Sequence, residues 1–186
     1  MTKADKPLKT HTTEKAIFAG GCFWCEEEAF EGVPGVISVV SGYTGGYTPN
    51  PTYEQVSGEG TGHKESVEVT FDPSKITYNQ LLEIYWRNVD PFDAEGQFCD
   101  KGDSYKGVIF YTNETQKKEA ESSKKNVEVQ LKKPVVTEIV AATTFYPAEE
   151  YHQKYAKKNP LRYKFYRFSC GRDKRLNEVW GSKNHF

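Results

Sequence analysis

The clearest alternation of polar and apolar positions lies at Lys64 to Phe71 (KESVEVTF). Val67, Val69 and Phe71 share one face of a strand; Lys64, Ser66, Glu68 and Thr70 share the other. Glu65 falls in phase with the valines. A carboxyl group on the buried face costs free energy unless it is paired or protonated, and desolvation raises its pKa. The bland alternative is a wet position at the end of the sheet. Further strands are predicted at Ala16-Ile17-Phe18, Val36 to Tyr43, Val108 to Tyr111 and Val135 to Ala142. Helical periodicity appears after Cys22 as far as Gly32, with Pro34 beyond it. Thr77 to Gln80 reads as a capping box opening a helix whose stripe is Leu81, Leu82, Tyr85, Trp86 and Val89, which makes Trp86 a core residue. Asn113 to Leu131 is a charged helix with one solvated face, and Ala148 to Lys158 a short amphipathic helix between Pro147 and Pro160. The basic, aromatic stretch from Leu161 leads into a last short helix ending at Trp180-Gly181.

Between these elements lie glycine-rich loops at Gly42 to Pro51 and Gly58 to Gly62. The segment Asp90 to Gly107 has no periodicity, and loops of that length in a compact domain are usually functional or disordered. Its aspartates lack calcium-loop spacing. Strands interspersed with helices, several joined too closely for crossovers, make the fold α+β: a two-layer α/β sandwich with a mixed sheet flanked by helices. The chain has 186 residues and a net charge of −1, so one catalytic domain over residues 15–186 is expected, with an extended C-terminal segment and a polar leader over 1–14. The charge balance gives no electrostatic case for nucleic acid or an anionic membrane. No apolar run approaches the ~20 residues of a membrane span.

Four cysteines, at 22, 25, 99 and 170, make neither a disulfide framework nor a zinc signature, so no metal is expected. Redox chemistry in a reducing, cytoplasmic setting fits them better. Cys22 follows a strand and two glycines and opens a helix, where amide N–H groups and the dipole favour a thiolate; a buried inert thiol is the bland alternative. A thiolate nucleophile needs an electrophile, an acid and a way to reset. Glu65 is the candidate acid. Tyr43, Tyr47, Tyr53 and Tyr105 are loop phenols able to donate hydrogen bonds, and Phe23 and Trp24 could wall an apolar pocket. His152 reads as a packing or hydrogen-bonding histidine and His63 as local structure.

Several motifs in order then resemble the peptide methionine sulfoxide reductase A family: Gly21-Cys22-Phe23-Trp24, Gly42-Tyr43-Thr44-Gly45-Gly46, Pro51-Thr52-Tyr53 and Gly62-His63-Lys64-Glu65. Asn88-Val89-Asp90-Pro91, Gln97 to Tyr105 and Ala148 to Gln153 agree. The resemblance spans Ala16 to Gly181. It implies a ferredoxin-like core and reduction of methionine-S-sulfoxide, free or in proteins. By the same resemblance Cys22 is the nucleophile and Glu65 the acid for the sulfoxide oxygen. Tyr53 and Tyr105 hold that oxygen, Asp100 supports the site, and Phe23 and Trp24 surround the methyl group. It also implies no bound cofactor and thioredoxin as the dithiol reductant. A monomer is expected.

The resolving thiol departs from the commonest family pattern, in which glycine stands at the place of Cys25 and the resolving cysteines lie in a glycine-rich tail. Cys170 is ranked first, Cys25 second and Cys99 third. Two alternatives remain at this level: a thioredoxin-like disulfide oxidoreductase using Cys22 and Cys25, and a non-enzymatic module binding methionine-bearing peptides.

Overall fold

The structure is a computed structural model that describes residues 12–181. Residues 1–11 of the expected leader lie outside the described residues, and Glu14 already begins the first strand. The first half of the chain runs β1 (Glu14–Ala19), α1 (Phe23–Phe30), β2 (Val36–Thr44), α2 (Tyr53–Ser57), β3 (Lys64–Phe71) and α3 (Tyr78–Arg87). A small hairpin follows, β4 (Gly96–Gln97) and β5 (Asp100–Lys101), then β6 (Val108–Tyr111), α4 (Glu114–Leu131), β7 (Glu138–Ala141) and β8 (Tyr146–Pro147). Three helices close the described chain: α5 (Tyr155–Lys158), α6 (Pro160–Cys170) and α7 (Arg172–Trp180).

The main sheet has the order β7-β6-β1-β3-β2-β8. Only β6 and β7 run parallel; every other neighbouring pair is antiparallel. The inner four strands with α1 and α3 form a β-α-β-β-α-β unit, the ferredoxin-like arrangement expected from the resemblance. One face of the sheet buries Phe18, Val67, Val69 and Phe71 against Phe30 of α1, Leu81, Leu82, Tyr85 and Trp86 of α3, and Ala120 and Val127 of α4. The other face is a smaller cluster of Ile17, Ala19, Val108 and Phe110, covered by Val140, Ala142 and Phe145. The strand alternation therefore sorts two unequal cores, and Glu65 lies in phase with the larger one.

Local chemistry accounts for the helix starts. Thr77 accepts the amide of Gln80 at 3.1 Å while Gln80 Oε1 accepts the amide of Thr77 at 2.9 Å, closing the expected capping box of α3. Thr52 and Gln55 form a second box at α2, which the sequence reading missed. Trp86 is core, as expected, and its indole donates to Ser123 Oγ at 2.9 Å.

Two segments differ from expectation. Ala148 to Lys158 is not one helix: a 3₁₀ turn at Glu150–His152 and the short α5 are separated by Lys154 in the left-handed region, φ 54°. The segment from Leu161 onward holds two helices rather than one, hinged at Gly171 with φ 74°. A left-handed residue ends a helix without needing a proline, so the periodicity alone does not reveal either break. The long loop 90–107 is pinned from within. Gln97, 1% exposed, accepts the amide of Asp90 at 2.8 Å and donates to its carbonyl at 2.7 Å.

Candidate active site

The site forms where β1 hands over to α1. Gly20 packs so closely that a Cβ there would lie 2.4 Å from Glu26 Oε1, and Gly21 has φ +87°, which a side chain rarely adopts. Cys22 is the N-cap residue, with extended backbone, and its carbonyl accepts the amide of Cys25 at 3.1 Å. The amide of Phe23, the first helical residue, donates to Glu65 Oε1 at 3.3 Å. The strand and the helix start thereby bring Cys22 and Glu65 together across 43 residues of sequence.

Glu65 is 2% exposed, and burial pushes its carboxyl up to about 8. The Phe23 amide opposes that shift and the nearby Asp100 charge adds to it. A neutral carboxylic acid is thus held beside the helix start at neutral pH. Tyr105, at the end of a 3₁₀ turn (Asp103–Tyr105), contacts both Glu65 and the Tyr53 phenol. Burial and the Glu65 charge hold both phenols above their ordinary range, so they remain hydrogen-bond donors. Of the four candidate phenols, Tyr53 and Tyr105 meet each other at Glu65, while Tyr43 stands opposite Glu65 in the β2–β3 register but commits its hydroxyl elsewhere. Tyr43 is buried in β2 and donates to Glu149 Oε1 at 3.0 Å; Tyr47 is 85% exposed. Glu149 also accepts the Tyr53 amide at 3.1 Å, fixing the start of α2.

Phe23 and Trp24 stand on either side of His152, which is buried. Its ring lies 4.9 Å from Phe23 and 4.7 Å from Tyr53, and its Nδ1 accepts the Trp24 indole N–H at 3.0 Å. His152 is therefore the packing and hydrogen-bonding residue expected, and His63 likewise ties loops together, accepting the Gly46 amide at 3.1 Å. Tyr155 stacks on the Trp24 ring at 3.7 Å and Tyr166 meets it edge-on at 5.7 Å. The Tyr166 hydroxyl donates to Asp100 Oδ2. Burial raises the Asp100 carboxyl above its ordinary value, and this hydrogen bond works against the rise.

The four cysteines fall into two pairs. Cys99 and Cys170 are joined in a disulfide; Cys22 and Cys25 are free, buried and hydrogen-bonded to each other. The expected thiolate at Cys22 is not what its surroundings favour. Burial holds the Cys22 thiol well above its ordinary value, with Cys25, Glu65 and Asp100 adding to the effect. The hydrogen bond from Cys22 lowers Cys25 instead, helped by the charges of Arg172 and Arg167 and by the Tyr163 hydroxyl. Arg172 and Arg167 weigh on Cys25, whereas Glu65 and Asp100 weigh on Cys22. Cys170, ranked first as resolving thiol, is committed to Cys99, and the free thiol next to Cys22 is Cys25. The sulfurs that approach Asp100 are bonded to one another and so are not free thiolate ligands for a metal.

The family model for peptide methionine sulfoxide reductase matches residues 14–184. The chain belongs to the peptide methionine sulfoxide reductase family. It is 53% identical over 173 residues to the enzyme MsrA of Bacillus licheniformis, covering 92% of this chain and 96% of that one. Reduced Mxr1 of Saccharomyces cerevisiae superposes with a TM-score of 0.77 at 29% identity, over 81% of this chain and 88% of Mxr1. A structure of Mxr1 with Trx2 matches at a TM-score of 0.56 and 21% identity, over 82% and 91% of the two chains. Within this reductase the C-terminal helices supply what sequence reasoning missed: Tyr155 and Tyr166 on Trp24, Tyr163 and Arg172 beside Cys25. Each lies more than 130 residues from its contact on α1, so no local pattern announces it.

Proposed function

We propose that the protein reduces methionine-S-sulfoxide to methionine with Cys22 as nucleophile and Glu65 as acid. The observation that carries this reading is the buried, neutral Glu65 carboxyl hydrogen-bonded to the amide next to Cys22. A sulfoxide sulfur becomes electrophilic once its oxygen is protonated or strongly hydrogen-bonded. Glu65, Tyr53 and Tyr105 supply that polarisation in a largely dry site. As the Cys22 sulfur attacks, its proton replaces the one that Glu65 gives to the oxygen; the sulfoxide S–O bond breaks as the oxygen passes to Cys22, and methionine departs, leaving a sulfenic acid on Cys22. Phe23 and Trp24 receive the methyl group, and Asp100 steadies the site through Tyr166.

Cys25 resolves the sulfenic acid: its sulfur forms a bond to Cys22 sulfur, the S–O bond breaks, and the oxygen leaves as water. Thiol reductants then reopen the disulfide. Thioredoxin suits that role, since Mxr1 has been solved with Trx2. No helix among the described residues is long and apolar enough to cross a membrane. A single-domain monomer in the cytoplasm belongs to the same reading, in which Cys22 and Cys25 stay free and the Cys99–Cys170 disulfide is open to reduction.

The test is one turnover on methionine-S-sulfoxide without reductant. Wild type is expected to form about one methionine per enzyme and Cys22→Ser none; methionine from Cys22→Ser would overturn the reading. A disulfide oxidoreductase using Cys22 and Cys25 is favoured by the contact between those thiols. Cys25→Ser separates the two: a sulfoxide reductase still converts one equivalent, whereas an oxidoreductase loses its dithiol exchange.

A further inference from the structure

One buried side chain outside the set above reaches the neighbourhood of all four cysteines. Arg172 is 2% exposed although it carries a full positive charge. Its Nη2 donates to the carbonyl of Gly20 at 3.1 Å, two residues before Cys22, and to Glu26 Oε1 at 3.0 Å, the residue after Cys25. It also donates to the carbonyl of Asn88 at 2.6 Å. The guanidinium stacks 4.4 Å from the ring centre of Phe98, the residue before Cys99, and Arg172 itself lies two residues after Cys170. One cation thus ties the C-terminal helices to the nucleophile's turn and to the loop bearing Cys99.

A buried cation of this kind needs a nearby anion. Its ion-pair partner, Glu26, is fully buried, with Oε2 lacking any hydrogen-bond partner. Burial pushes the Glu26 carboxyl up to about 8 in spite of Arg172, so near neutral pH it is largely protonated. The other cation near Cys25, Arg167, is already paired with Asp173 at 2.7 Å. The groups facing Cys25 are Cys22 and Glu26 on its own helix, Glu65 from β3, Tyr163, Tyr166 and Arg167 from α6, and Arg172 from α7. Among them Arg172 is the buried cation whose carboxylate partner favours the neutral form.

We propose that Arg172 is a positioning residue for the resolving step: it holds the C-terminal segment against the helix start and sets a buried positive charge at the turn that carries Cys22 and Cys25. The proposal rests on Cys25 being the resolving thiol, but its test does not require turnover. Removing the charge destabilises the thiolate, so the sign is a shift to higher pH.

The experiment is the pH profile of Cys25 alkylation by iodoacetamide, read by peptide mass spectrometry with the Cys99–Cys170 disulfide left intact. Arg172→Gln is expected to move the midpoint upward by about one pH unit, which slows Cys25 reaction roughly tenfold below the midpoint. Arg172→Lys, which keeps the charge but not the planar fork, is expected to restore the wild-type midpoint. Glu26→Gln imitates the protonated carboxyl and is expected to leave the midpoint in place or lower it. An unshifted Arg172→Gln profile, an Arg172→Lys profile matching that of Arg172→Gln, or an upward shift in Glu26→Gln would each overturn the proposal. Should Arg172→Gln fail to fold, the Lys and Glu26 variants still decide it. If wild type formed no methionine in a single turnover, the reductase reading would fail while the alkylation profiles stood on their own.

Discussion

At the scale of single residues, the acid role proposed for Glu65 sets the expected response of the site to pH. The carboxyl's ordinary value of 4.5 is raised to about 8, so the proton needed by a sulfoxide oxygen is present throughout the neutral range and is lost as pH rises through about 8. Methionine formation under single-turnover conditions is therefore expected to decline on the alkaline side with that midpoint. Glu65→Gln keeps a hydrogen-bond donor but has no acid proton to give. Its rate is expected to fall roughly 100- to 10,000-fold and to lose the alkaline limb. A Gln variant with the wild-type profile would take the acid role away from Glu65. The phase of Val67, Val69 and Phe71 made Glu65 legible in the sequence. The choice of Tyr53 and Tyr105 over Tyr43 and Tyr47 was legible only by family resemblance, since loop phenols carry no periodicity.

At the scale of elements, helix starts were readable where chemistry is local and helix ends were not. The α3 capping box needs only four consecutive residues, and each of its two hydrogen bonds is present. Thr77→Ala is expected to cost about 1 kcal/mol, lowering the melting temperature by about 3 °C, with sulfoxide reduction unchanged below the transition. Calorimetry checks it, and a loss of activity at low temperature would mean that α3 does more than support the core. The breaks at Lys154 and Gly171 escaped because a left-handed residue interrupts a helix without disturbing the polar pattern around it. Those breaks matter: they let α5 lay Tyr155 on Trp24 while α6 carries Tyr163 and Tyr166 to the cysteines.

For the whole molecule, the Cys99–Cys170 disulfide closes a loop of sequence separation 71 between the hairpin and the end of α6. Restricting so long a loop in the unfolded chain is worth about 4 kcal/mol. Reduction with dithiothreitol is expected to lower the melting temperature by roughly 10 °C, with the mass gain of two hydrogen atoms confirming the opened bond. An unchanged melting temperature would mean that Arg172 and the Tyr166–Asp100 bond already hold both ends without it. The same closure places α6 over the Cys22–Cys25 pair and brings the active-site cysteines under one roof.

Much of the protein followed from the sequence alone. Strand phase, capping residues and turn glycines act over a few positions, so they delivered the α+β architecture, the turn that carries Cys22 and the buried Glu65 carboxyl. The partnership of the thiols followed only in part. Cys25 beside Cys22 follows from local helix spacing, but which cysteine is bound to Cys99 depends on how α6 returns to the hairpin, and where the proton rests between Cys22 and Cys25 depends on charges brought together from α1, β3, α6 and α7. Burial sets the strength of those charges, and burial is a property of the folded molecule. Arg172 and Glu26 are 146 residues apart in the chain and 3.0 Å apart in the fold, and only tertiary packing makes that conversion.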